Sequence, residues 1–207
     1  MNNFQKALQF RHACKIFDET RAIPSEQFEE ILDSGRMSPS SMGVEPTRFL
    51  VVRDRTLREK LKEVCWNQVQ LTTASEVVVI KCLLQQMFPP SNYLDKMSFR
   101  RGKTDEQRAK WIGFYKNFLA TNEANGISTR HWVEKQSYIA GSTMMNYAAY
   151  LGIDSCAIEG FEEKKVNEIL EIDTFKECIS MLITFGYRVK EQQKRYRLNL
   201  DEIVEYK

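Results

Sequence analysis

Apolar positions in the first half of the chain switch between two spacings. Phe4, Ala7 and Leu8 recur at helical intervals, and so do Phe28, Ile31 and Leu32, in a stretch that opens at Ser25, expected as its N-cap just after Pro24, and closes near Gly35. The run Phe49 to Val52 predicts a short strand, and Leu57, Leu61 and Val64 a surface helix. Val77-Val78-Val79-Ile80 is an unbroken β-branched run, the pattern of a strand covered on both faces.

In the second half, Trp111, Phe114, Tyr115, Phe118 and Leu119 form an amphipathic helical stripe. The longest helical pattern runs from Trp132 to Leu151, with Gly152 where a left-handed C′ residue is favoured. Ile153 to Ile158 reads as a strand, Phe161 to Leu170 as a helix and Ile179 to Phe185 as another strand. Residues 87–110 show no clear period and carry adjacent prolines, so they are expected to form a mobile excursion, bounded at about 84–130. The last stretch, about 188–207, ends in Leu200, Ile203, Val204 and Tyr206, apolar residues with no hairpin partner; such an arm is expected to pack on another subunit.

At 207 residues the chain fits one domain, 1–207, able to bury a core without disulfides or metal. A formal charge of +2 excludes a protein devoted to coating nucleic acid, although Lys96 to Lys110 and Arg188 to Arg197 are locally basic. The charge-free stretch Ser137 to Ile153 contains Ser142, Thr143 and Asn146 and is too short and polar to cross a membrane. No secretory leader pattern opens the chain, and the five cysteines lack a C-x-x-C pair, so a cytoplasmic, reducing location is expected.

Several chemistries are eliminated by spacing. With only His12 and His131, no nucleophile-histidine setting is recognisable. The nine glycines form neither G-x-G-x-x-G nor a P-loop, and no Cys/His or acidic cluster has metal-ligand spacing. What remains is a set of cations near the chain ends, Arg11 and Lys15 with Arg195 and Arg197. Arg195 and Arg197, two apart, share one face of an extended segment and could grip a phosphate together, although a solvated charge run has the same composition.

Taken in order, R-H-x-x-K at 11–15, S-P-S-S at 38–41, Asn67, Lys135-Gln136, the run Leu151-Gly152-Ile153-Asp154-Ser155-Cys156-Ala157-Ile158-Glu159-Gly160-Phe161 and R-x-R at 195–197 resemble the oxygen-insensitive NAD(P)H nitroreductase and flavin reductase family. The resemblance implies an α+β fold with a central mixed, mostly antiparallel sheet flanked by helices, and a homodimer in which C-terminal arms are exchanged and FMN lies in clefts at the subunit interface. It implies that Arg11, His12, Ala13, Cys14 and Lys15, with Arg195 and Arg197, hold the FMN phosphate and ribityl chain, Lys15 also facing the flavin N1/O2 edge. Asn67 and Gln70 would lie near the pyrimidine ring, Ile158, Glu159 and Gly160 at flavin N5, and Gln136 near the cofactor. Pro39, Ser40 and Ser41 would reach the cofactor held mainly by the other subunit. Phe118 and Trp66 are the substrate candidates, although Phe118 also lies on an apolar stripe that reads equally well as core.

The implied activity is two-electron, ping-pong hydride transfer from NAD(P)H through FMN to nitroaromatics, quinones or related small-molecule acceptors, with no metal and no protein acid or base required. A fixed cation at N1/O2 suits this because reduced flavin carries negative charge there. A flavin or pteridine reductase on the same fold, and a non-catalytic flavin-binding dimer, are the alternatives. The sequence departs from the family pattern at Ala13 and Cys14, where a hydroxyl is frequent, leaving the backbone N–H to serve there, and at Gln70, where some relatives have lysine. Cys156, among apolar neighbours, reads as a small buried hydrophobe rather than a nucleophile.

Overall fold

In the computed structural model, which describes residues 1–100, 102 and 104–207, the elements alternate without segregating into separate units. Arg101 and Lys103, part of the basic stretch noted above, lie outside the described residues. The order is α1 (Asn3–Phe10), α2 (Ser25–Arg36), β1 (Thr47–Val51), α3 (Arg55–Val64), α4 (Gln70–Thr73), β2 (Glu76–Leu83), α5 (Asn92–Phe99), α6 (Asp105–Ala124), α7 (Thr129–Tyr150), β3 (Asp154–Ile158), α8 (Glu163–Ile169) and β4 (Glu177–Gly186). The strands form a four-stranded sheet in the order β1-β2-β4-β3. All three pairings are antiparallel, with Leu50 opposite Val79, Val78 opposite Ile183 and Cys156 opposite Thr184. The parallel component is an isolated bridge between Ala13 and Ser155.

The β-branched run of β2 is sorted by strand alternation. Val77 and Val79 face a core with Leu61 of α3, Leu71 of α4 and Val166 of α8. Val78 and Ile80 face the opposite way, into a core with Met144 and Ala148 of α7 and Ile31 of α2. Both faces are therefore covered, as the run requires. Gly141 lets α7 lie close, since a Cβ there would sit 3.0 Å from Met181 Sδ. Gly152 closes α7 at φ 75°, the left-handed conformation its position predicts.

Two expectations change. Ser25 is the first helical residue rather than the N-cap; Pro24 holds the cap position with extended ψ, and no side chain caps α2. The segment without readable period is helical. Ser91 caps α5 by accepting from Leu94 N, and Thr104 with Gln107 makes a reciprocal capping box at α6. Met87, Leu94, Tyr115 and Trp132 share a third core, where the Tyr115 hydroxyl donates to the Met87 carbonyl at 2.9 Å. The short length of α5 and the glycine and prolines around it hide this from a periodicity reading.

Gly35 marks where α2 meets α7 and β1. Alanine in place of a helical glycine ordinarily adds about 1 kcal/mol, but a Cβ here would lie 2.7 Å from Met144 Cγ and from Phe49 Cζ. Overpacking of about 1–3 kcal/mol should outweigh the helical gain. Gly35→Ala is expected to lower the urea midpoint with an unchanged slope, measured by equilibrium unfolding.

Candidate functional site

Helix α1 ends at Arg11, whose backbone turns extended and whose N–H still donates to Ala7 O at 3.0 Å. The corner that follows runs beside the outer edge of β3. Cys14 N–H donates to Ser155 O at 3.1 Å and its thiol turns inward to Ile16 O at 3.3 Å. This backbone donor, expected for a ligand phosphate, is therefore engaged within the fold. Phe17 bridges Arg188, so the corner also lies against the start of the C-terminal arm.

Three donors of the arm reach the last carbonyls of α1. Arg188 Nη2 donates to Phe10 O at 3.3 Å, Gln192 Nε2 to Gln9 O at 3.2 Å and Arg195 Nη1 to Leu8 O at 2.5 Å. These carbonyls have no partner within the helix, and α1 has no basic residue in its last turn, so the arm supplies both the donors and the positive charge that a helix C-terminus favours. The arm is anchored by Asp154, 3% exposed, which accepts from Arg188 N at 2.9 Å and Nε at 3.0 Å and pairs with Nη2 at 2.6 Å.

Corner and arm enclose a cleft of about 620 Å³. Arg11, His12, Ala13, Cys14 and Lys15 line it from one side, Arg195 and Arg197 from the other, so the cations of the two chain ends do converge. Glu191 is the carboxylate among the lining residues. Arg195 is held below the usual arginine range by burial and by the charges of Arg11 and Arg197, and its Nη2 is buried without a partner. Like charges gathered around an unpaired donor are the chemistry of an anion site, and a dianionic phosphate fits this set.

Lys15 begins a second, contiguous wall. Its Nζ lies 3.5 Å from Cys156 Sγ, which Gln70 Nε2 also approaches at 3.8 Å. Gln70 donates to Gln68 Oε1 at 2.8 Å, and Gln68 Nε2 to Gly160 O at 2.9 Å. Trp66 and Asn67 are both left-handed, at φ 56° and 55°, a conformation that costs a bulky residue such as Trp about 1–2 kcal/mol. This turn lays the Trp66 ring on Gly160, where a Cβ would meet the ring at 2.5 Å. Trp66 is 71% exposed and Ile158 buried, while Glu159 is exposed at the end of β3. Burial raises the Cys156 thiol, and Cys14 is raised to about 11 for the same reason, so neither is a thiolate at neutral pH.

The other candidates lie elsewhere. Pro39, Ser40 and Gln136 line a separate pocket of about 500 Å³ with Arg36, Arg48 and Phe49. Gln136 is buried and accepts from Ser41 N at 2.7 Å, so it positions this loop. Phe118 packs edge-on against Trp132 at 5.3 Å in the third core, on the apolar stripe. Sequence reasoning missed Asp154, Arg188 and Gln68. Asp154 stood within the motif run, but nothing local marks a carboxylate whose partner is 34 residues away.

Fold and cleft define an α+β protein with a cationic cleft assembled from its two chain ends. The nitroreductase family model matches residues 8–187, and the chain belongs to that family of oxidoreductases. A Staphylococcus epidermidis protein to which NAD(P)H nitroreductase activity is ascribed is 42% identical over 97% of this chain and 94% of its own length. A crystal structure from Staphylococcus epidermidis, described as that of an NAD(P)H:FMN oxidoreductase, superposes with a TM-score of 0.81 at 27% identity over 100% of this chain and 96% of that one. The fold is shared at a TM-score of 0.81 and 22% identity with a nitroreductase from Exiguobacterium sibiricum solved in complex with FMN, over 100% of this chain and 98% of that one.

No group of three or more His, Cys, Asp or Glu suited to a metal, and no helix long and apolar enough to cross a membrane, occurs among the described residues. His12 gives the site a pH signature. Burial, then the Arg188 charge, lowers its pKa below 6.5, against a smaller opposing pull from Asp154 3.5 Å away. The unfolded chain then binds more protons, so stability is full above the unfolded pKa and declines as pH falls toward the folded value. Thermal melts between about pH 5 and about pH 7.5 should show this slope, reduced in His12→Gln.

Proposed function

We propose that the protein is an FMN-dependent NAD(P)H oxidoreductase acting on nitroaromatics, quinones or related small acceptors. The observation that carries this reading is the convergence of Arg11, Lys15, Arg195 and Arg197 on one cleft in a nitroreductase family member. Arg11, Arg195 and Arg197 would hold the phosphate, with His12 and the backbone of Ala13 beside it. Lys15, held next to Cys156 and Gln70, would set a positive charge at the N1/O2 edge of the ring. Asn67, Gln70, Ile158, Glu159 and Gly160 would border the ring system.

Bound FMN would supply hydride acceptance from NAD(P)H and donation to the acceptor. The protein's part is binding, orientation and electrostatics. The Lys15 ammonium stabilises negative charge in a site whose other wall is the Trp66 ring laid over Gly160. Gln68 and Gln70 hold this wall to the Lys15 side through their amides. Trp66 and Phe118 are the aromatic candidates for acceptor contact.

The reading includes a homodimer with exchanged arms. Leu198, Leu200 and Ile203 are 65%, 68% and 65% exposed and Tyr206 is 89% exposed, an apolar arm suited to a second copy of the chain. Pro39, Ser40 and Gln136, set in their own pocket, and Ser41, held by Gln136, would then meet the cofactor of the partner subunit.

Anaerobic titration of the purified protein with NADH and NADPH tests the reading: bound flavin should bleach and recover on adding an acceptor, and flavin that NAD(P)H does not bleach would leave a non-catalytic binder. Reductant and acceptor taking turns at one site should give parallel reciprocal plots at several fixed acceptor concentrations. Lys15→Ala and Arg197→Ala should each weaken FMN retention by about tenfold or more, the worth of a charge-assisted hydrogen bond, measured as flavin content after gel filtration.

A further inference from the structure

The buried carboxylate of Asp154 lies behind the cleft, out of its lining, and touches it through Arg188 and, at 3.5 Å, His12 Nδ1, which do line it. It is an anion beside a cluster of cations, yet its oxygens are directed at Arg188, and Arg188 also donates to Phe10 O and stacks at 4.1 Å over the Phe10 ring. Beyond Arg188 the arm follows the carboxyl end of α1, one donor per carbonyl, until Arg195 reaches Leu8 O. Arg195 and Arg197 thus owe their place beside Arg11 to a path that begins at the Asp154 clamp.

We infer that Asp154 is a positioning residue for the anion cleft: through Arg188 it seats the C-terminal arm on the end of α1 and so brings Arg195 and Arg197 to Arg11. This rests on reading the cleft as the FMN phosphate site. Two effects of removing the charge then have opposite signs. Through space, losing a nearby negative charge tightens a dianion. Through position, losing the clamp releases the arm and weakens it. The clamp dominates, because the Asp154 charge is already offset by its ion pair with Arg188 and acts weakly across the cleft, whereas a misplaced guanidinium loses its hydrogen bonds outright.

The experiment compares full-length wild type, Asp154→Asn and Arg188→Lys. Affinities for FMN and for riboflavin, which lacks the phosphate, are measured by flavin fluorescence on the apoprotein. Trypsin nicking in the arm, at Lys190 and Lys194, is followed without flavin. In both variants FMN affinity should fall by about tenfold or more, riboflavin affinity should stay close to wild type, and nicking should accelerate. Arg188→Lys keeps the charge but loses the two-pronged grip, so it carries the test if Asp154→Asn fails to fold. Unchanged or tighter FMN binding in the variants, or equal losses for FMN and riboflavin, overturns the inference. If wild type binds neither flavin, the FMN reading fails instead, and the inference about the arm then stands or falls on the nicking rates.

Discussion

A buried carboxylate at the first residue of β3 holds the two ends of this chain together. Asp154 is almost fully removed from solvent, and an uncompensated charge there would be untenable, so its partner must be fixed with good geometry. Arg188 meets that demand with its backbone N–H and Nε, which donate to Oδ2, and with Nη2, which pairs with Oδ1. Breaking one side of such a pair typically costs about 3–5 kcal/mol. The start of the arm is therefore determined by electrostatic necessity inside the fold, and the cationic cleft is its consequence.

The cleft gathers like charges, an arrangement unfavourable on its own. Arg195 is offset by Leu8 O, one of the carbonyls that end α1, while its second nitrogen stays buried and unpaired. The wall beside it is also held in an unrelaxed state, with Trp66 and Asn67 in left-handed conformations and the Trp66 ring pressed onto Gly160. Two adjacent left-handed residues and an unpaired donor flank the cleft, while behind it alternate β2 residues feed opposite cores. A rigid scaffold thus carries the cost of a prepared site.

Much of this was legible from residue order. The strand β2 announced itself because four β-branched residues in a row fit few other structures, and α7 because its periodicity spans many turns and ends at Gly152. The cations at 11–15 and 195–197 could be named as partners only through the family resemblance, since composition treats them as solvated charge. Helix α5 escaped because it is one short element between prolines and glycine, defined by its Ser91 cap and by burial of Leu94 rather than by a period. Phe118 was ambiguous for a related reason: a stripe shows that a face is covered, and only the Trp132 ring shows by what.

The sequence by itself determined most of the helices and strands, where charge accumulates and to which family the chain belongs, because propensity, alternation and motif spacing are local properties. Tertiary structure alone decided which of those charges are engaged and which are left to a ligand. Arg188 and Arg195 are indistinguishable as letters in a basic tail and both line the cleft, but the sheet order places Asp154 beside the first, and among the described residues no carboxylate pairs with the second. A charge's role depends on what long-range packing sets within a few ångströms of it, and no local pattern records that distance.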